Sequence, residues 1–320
     1  MNKLKKVGLT ALGTVLVSAG AASAADMSVT GSTSLFFNGE DNSNMGNGWS
    51  MTDSLSFAAS GEMDNGWTVS TSIEVDGNTM DDRSLTIDTG EMGKLTFSGS
   101  GTSGPIGAWD DLTPSANEEA HGTAVSGTAD GPVNSSSMAN AFVYDLDLAN
   151  FFEGLALKAS YAPSATTTKV ESSTEYGLSY SNGGLSINAG MGENNDQIST
   201  GTAGSGKIDV SVFYVGYAMD NGLSIGYQVN ENDSATANED EDFTAIGVSY
   251  AVSDDISISY NISEIDYESS TLEDQEAQGI SASITNGGMT ISGTYSTVDN
   301  TAGSSTADNT GYELNIAFAF

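Results

Sequence analysis

Residues 101–137, GTSGPIGAWDDLTPSANEEAHGTAVSGTADGPVNSSS, carry the side chains best able to do chemistry. They hold Asp110, Asp111, Glu118, Glu119 and Asp130, the chain's single histidine, His121, and no lysine or arginine. Carboxylates at this density gather cations, and they offer the hard oxygen ligands that calcium takes. Asp110, Asp111, Glu239 and Asp240 are therefore candidate calcium ligands, although no acidic run has the spacing of a regular calcium loop. His121 beside Glu118 and Glu119 is a lone imidazole on a loop, a thin basis for a metal centre. The chain has no cysteine, and its dispersed Ser, Thr and Asp fit a hydrated wall better than a catalytic triad. What remains is attraction of cations, and its meaning depends on what holds the segment.

The flanking chain must supply that support. Lys3, Lys5 and Lys6, the apolar run 7–20 and the Ala22-x-Ala24 pattern read as a secretory signal over residues 1–25, so the fold is expected over 26–320. Beyond the signal, Arg83, Lys94, Lys158, Lys169 and Lys207 are the only basic residues against 43 acids, a net charge of -38. Such an excess excludes a nucleic-acid binder, and it excludes a surface holding anionic lipid by positive charge. After residue 25 there is no run of 18 apolar residues, hence no transmembrane helix.

Alternation of apolar and polar residues recurs instead, in segments of about ten residues, the span of a tilted strand crossing a bilayer. Ile256, Ile258, Tyr260 and Ile262 face one way, while Ser257, Ser259, Asn261 and Ser263 face the other. The last segment, 311–320, sets Tyr312, Leu314, Ile316, Phe318 and Phe320 on one side. Asn182-Gly183, Asn221-Gly222 and Asn286-Gly287 are strong hairpin turns. The pattern predicts sixteen strands in which short turns alternate with long connections. The long ones are 38–48, 76–82, 101–137, 162–173, 192–205, 230–241, 264–275 and 297–310. A secreted β-sandwich also alternates, but it hides its apolar faces in one interior and need not segregate loop lengths. The expectation is all-β, a 16-stranded antiparallel transmembrane β-barrel with a wet lumen. Trp49, Trp67, Tyr161, Tyr217 and Tyr250 would form its headgroup belt, and the insert 101–137 would lie in the lumen, where irregular backbone can be hydrated.

With a first strand just after the signal, sixteen strands, an enlarged third external connection and a last strand ending at Phe320, the chain resembles the general porins of Gram-negative outer membranes, most closely their alphaproteobacterial branch. The resemblance implies a homotrimer of water-filled pores and a third loop folded into each barrel as a constriction. It also implies insertion guided by the C-terminal strand, which makes Phe320 an assembly residue and the outer-membrane barrel assembly machinery a partner. The family sets loop acids against a basic wall. Here only Arg83 and Lys94 are positioned to oppose Asp110, Asp111, Glu118 and Glu119. The function expected is a cation-preferring channel of the outer membrane for ions and small hydrophilic solutes, embedded in outer-membrane lipids, with no cofactor beyond candidate calcium. The competing expectation is a structural or adhesive barrel, its lumen plugged and its external loops holding calcium. An enzyme finds no residues to nominate.

Overall fold

The computed structural model describes residues 26–41, 48–122, 139–163, 171–195 and 207–320. The signal segment 1–25, the insert residues 123–137 with Asp130, and Lys169 lie outside the described residues. The first eight strands are β1 (Asp26–Glu40), β2 (Trp49–Glu62), β3 (Thr68–Asp76), β4 (Thr79–Asp88), β5 (Lys94–Ser100), β6 (Ala141–Asp147), β7 (Leu155–Ala162) and β8 (Ser173–Asn182). The second eight are β9 (Leu185–Asn194), β10 (Ile208–Ala218), β11 (Leu223–Ser234), β12 (Glu241–Ser253), β13 (Ile256–Tyr267), β14 (Gln275–Asn286), β15 (Met289–Asp299) and β16 (Asn309–Ala319). Each pairs antiparallel with its neighbours, and β1 pairs with β16 from Ser32↔Ala319 to Glu40↔Gly311, closing the barrel. Closure removes both open edges, which a lipid environment would otherwise leave with unsatisfied backbone groups.

The period-two pattern decides which side of the wall each residue takes. On β13, Ile256, Ile258, Tyr260 and Ile262 are exposed on the outer face, while Ser259, Asn261 and Ser263 are buried on the inner one. Trp49, Tyr161, Tyr217 and Tyr250 stand exposed near strand ends, in keeping with a belt at both headgroup levels, and Trp67 is half-buried. No continuous apolar core exists among the described residues. Small apolar clusters occur instead, and the one formed by Ile106, Ile208, Val210 and Val212 matters most below.

Several expected loops are strand. Residues 76–82 were predicted as a long connection, but β3 and β4 are joined by Gly77 and Asn78 alone, with Val75↔Met80 and Asp76↔Thr79 paired. Likewise 230–234, 264–267 and 297–299 continue β11, β13 and β15. The reason is chemical. Above the apolar band the outer face switches to carboxylates such as Glu231, Asp233, Glu264 and Asp266, while the inner face carries Asn230 and Asn232 on β11 but the buried Ile265 on β13, so the apolar-out pattern is lost or inverted while the backbone ladder goes on. What was legible as strand was the lipid-facing part of each strand.

Candidate functional site

After β5 the chain turns inward at Gly101, whose φ of +76° suits glycine and whose missing Cβ leaves room for the Asp82 carboxylate. It then runs as a strap along the inner wall from β7 to β16, at about mid-height of the strands. The first part is a short helix, α1 (Pro105–Trp109), begun by Pro105 at a position where a missing N–H costs nothing. Ile106 is fully buried against Val210 and Val212, with Trp109 packed on the same cluster. At its start the Ile106 N–H points to Glu175 Oε2 at 3.4 Å, and Ser160 Oγ donates to the same oxygen at 3.2 Å.

Beyond α1 the strap is fastened by its backbone. Gln228 Nε2 donates to the Trp109 carbonyl at 2.6 Å, and Asn230 Nδ2 to the Asp110 carbonyl at 2.7 Å. The Leu112 N–H donates to Gln228 Oε1 at 3.1 Å. Asn261 Nδ2 reaches the Pro114 carbonyl at 3.1 Å, and Ser259 Oγ accepts from the Ala116 N–H at 2.9 Å. Each such bond contributes about 1 kcal/mol net, and losing a partner here would strand a buried amide.

The wall makes room with glycines that the sequence analysis did not single out. Gly177 and Gly190 lie beneath Trp109, and a Cβ on Gly190 would come 3.4 Å from its ring and 3.5 Å from Ile106. On Gly226 it would meet Pro114 Cδ at 2.5 Å, on Gly247 Thr113 Cβ at 2.8 Å, and on Gly279 Ala120 Cα at 3.1 Å. Glycine inside a strand marks the close approach of another backbone. That signal was in the sequence, at inward positions of five strands.

Asp110, Asp111, Glu118 and Glu119 all lie on the strap, as expected. Asp111 and Glu118 are exposed to the lumen and Asp110 and Glu119 half-exposed. His121 is buried, its ring edge-on to Phe243 at 5.2 Å, with Nε2 3.8 Å from Asp111 Oδ2 and Nδ1 without a hydrogen-bond partner. Burial pushes Asp110 up to about 6 and Glu119 up to about 8, the charge of Asp111 adding to both. Asp111 and Glu118 are raised as well, by burial first. Lumen water, which reaches 36% of the Asp111 side chain, limits that rise. His121 is lowered by burial, against the pull of Asp111, and so stays neutral. Each proton lost from these acids adds negative charge to the passage. Cation preference should therefore strengthen as pH climbs through about 6 and about 8, measured as reversal potential at a fixed KCl gradient. A flat profile would place these carboxylates away from the ion path.

The two expected counter-charges are not there. Arg83 shares the outer face with Leu85, its stem lying over Gly99, and it pairs with no acid among the described residues. Lys94 does point inward but pairs with Asp88 at 3.4 Å, near the β4–β5 turn. Lys158, also inward, pairs with Asp145 at 3.0 Å. A cavity of about 550 Å3 lies between these lysines and the Trp109 face of α1. None of the calcium candidates Asp110, Asp111, Glu239 and Asp240 belongs to the one acidic triple found among the described residues. Among the described residues the acids with three oxygens within 4.8 Å are Glu264, Asp266 and Asp274, all exposed. A G-x-S-x-G spacing at residues 222–226 falls on β11 just after a hairpin turn, not on a strand-to-helix elbow, and makes no nucleophile.

A closed sixteen-strand barrel with a strap folded into its lumen narrows the possibilities to a pore, and a model of the family described as "Gram-negative porin" matches residues 8–270. The chain belongs to the Gram-negative porin family. A multiply substituted Rh. blastica porin is 14% identical with a TM-score of 0.63, over 92% of this chain and 100% of that one. An anion-selective porin from Comamonas acidovorans is 12% identical with a TM-score of 0.64, over the same shares. OmpT, an outer membrane protein of Vibrio cholerae, is 15% identical with a TM-score of 0.65, over 93% of this chain and 98% of that one. Identities this low establish the shared fold only. No curated protein matches the sequence. The porin is thus an outer-membrane channel rather than an enzyme.

Proposed function

We propose that this porin is a water-filled, cation-preferring channel for passive diffusion of ions and small hydrophilic solutes. The observation that carries the reading is a contrast between two halves of the inner wall. Under the strap, Gln228, Asn230, Ser259 and Asn261 are buried; across the lumen, the inward Ser28, Thr30, Ser32, Ser50 and Thr52 of β1 and β2 are exposed. Solvent therefore runs between the strap and the β1–β3 wall, where a plugged barrel would have buried those hydroxyls. The passage has Asp111 and Glu118 on one side and Glu74, Asp82 and hydroxyls on the other. Its two inward lysines are both neutralised by ion pairs. A fold shared with a porin described as anion-selective does not fix the sign of selectivity; the lining charges must.

Trimeric assembly fits the outer face. Carboxylates above the apolar band cluster on β9–β15, from Glu193 and Asp209 through Glu231 and Asp242 to Glu276 and Asp299. The outer face of β1 and β2 shows Met27, Val29, Met51, Leu55 and Phe57 with Asp53 as its one carboxylate among the apolar residues, which suits contact with further copies. Export by a cleaved signal over residues 1–25, and insertion by the barrel assembly machinery through the strand that ends at Phe320, complete the proposal.

Planar-bilayer recording tests it. The purified protein should give stable ohmic steps that close in thirds; a barrel giving no steps would favour the plugged, adhesive reading.

A further inference from the structure

We propose that Asn117, an uncharged residue, determines the channel's specificity by fixing where the strap's carboxylates stand. The proposal rests on the strap being the selective constriction. The Asn117 side chain docks on the two strands that complete the barrel. Its Nδ2 donates to Thr294 Oγ1 at 2.8 Å and Glu313 Oε1 at 2.6 Å, and its Oδ1 accepts from Ser292 Oγ at 2.6 Å. An amide has two donor hydrogens and one acceptor oxygen, so every polar atom of the side chain is engaged. Glu313 lies buried on β16, where a polar group left without its hydrogen bond is costly.

The residue after Asn117 is the lumen-facing Glu118, and its backbone is held on both sides. Its N–H lies 3.3 Å from Thr294 Oγ1, and its carbonyl accepts from Ser281 Oγ at 2.9 Å. With this peptide pinned, the exposed Glu118 side chain starts from a fixed point on the strap. Asp111 sits near enough for its charge to act on Glu118 and Glu119, so the Asn117 dock sets how the two glutamates are placed against an aspartate held separately by Gln228 and Asn230. The α1 half of the strap is held differently, by Ile106 and Trp109 in an apolar seat. Loss of the dock would therefore free Glu118 and Glu119, while Asp110 and Asp111 stay held by Gln228 and Asn230 and the helix stays in place. Because Glu313 lies on β16, the strand that meets β1 at the seam, the two glutamates take their final position only when the barrel has closed.

Four variants test this in planar bilayers, with heat-modifiable mobility as the check of folding: Asn117→Ala, Asn117→Asp, Glu313→Gln and the double Asn117→Asp/Glu313→Gln. Asn117→Ala should raise single-channel conductance, add current noise and bring the KCl reversal potential at least halfway to zero. Asn117→Asp sets two carboxylates face to face and should raise conductance and noise in the same way. Conductance is its proper readout, because its added charge alone moves the reversal potential. Glu313→Gln keeps an acceptor for Asn117 and should disturb conductance and noise less than Asn117→Ala; because it changes a charge, conductance is its readout too. The double variant exchanges donor and acceptor at unchanged total charge and should restore wild-type conductance and reversal potential. Folded Asn117→Ala barrels with wild-type conductance and selectivity would overturn the proposal, as would a double variant no better than Asn117→Asp alone. If the single variants do not fold, recovery of wild-type channels by the double supports it, and failure of the double along with them overturns it. A wild type without cation preference would instead count against the proposed function, while the conductance comparison would still test the dock.

Discussion

Exchanging Asp110, Asp111, Glu118 and Glu119 for Asn and Gln should remove most of the potassium preference and leave the channel open. The strap will stay seated, because the contacts that fasten it use the Asp110 carbonyl and the backbone of Glu118, not their carboxylates. A cation about 4 Å from one carboxylate gains about 1 kcal/mol even at the dielectric of bulk water, which is roughly a fivefold preference. An ion passing within the Debye length of about 8 Å at physiological salt feels these carboxylates. With Glu119 pushed up to about 8 and Asp110 to about 6, the exposed pair Asp111 and Glu118 should account for the greater part at neutral pH. Reversal potentials under a KCl gradient give the answer, and the difference should persist at roughly 1 M salt, where the field of the outer loops is screened within about 3 Å. An unchanged quadruple variant would assign selectivity to those loops.

Deleting Phe320 should have an effect of another kind, on the amount of barrel formed. Phe320 exchanges both backbone hydrogen bonds with Gly31, N–H to carbonyl at 2.8 and 2.9 Å. Its ring lies over the bare Cα of Gly31, where a Cβ would meet it at 2.7 Å. The ring itself is mostly exposed, so little of its role is packing. The deletion orphans two backbone groups at the β1–β16 seam, each costing up to several kcal/mol where lipid excludes water. Heat-modifiable barrel in outer membranes should fall severalfold while export continues. Wild-type yield and mobility would show that the seam closes without this residue.

The sequence revealed the barrel wherever one face of a strand meets lipid. Ile256, Ile258, Tyr260 and Ile262 announce β13 because water and hydrocarbon demand opposite residues on its two sides. The same strand loses that pattern from Glu264 to Tyr267, where the outer side turns acidic and the buried Ile265 faces inward. The acidic pair Asp81-Asp82 read as loop, whereas Arg83 read as strand, and its alternation with Leu85 and Ile87 already assigned it to the outer face. The acids of the strap were legible as a group, since a long insert without lysine or arginine has few interpretations. The residues that hold it were not. Asn117 and Glu313 are 196 positions apart, and nothing local to either marks the contact. Gly177, Gly190, Gly226, Gly247 and Gly279 were legible in principle, as glycines at inward positions of strands, but only a fold that brings the insert across them gives that pattern its meaning.

The reversal potential of the wild-type porin under a KCl gradient tests the central claim most directly: that the open passage runs between an acidic strap and an inner wall whose lysines, among the described residues, are held in ion pairs. The prediction is potassium preference, strongest in dilute salt and still present at roughly 1 M. Chloride preference at any salt concentration would contradict it.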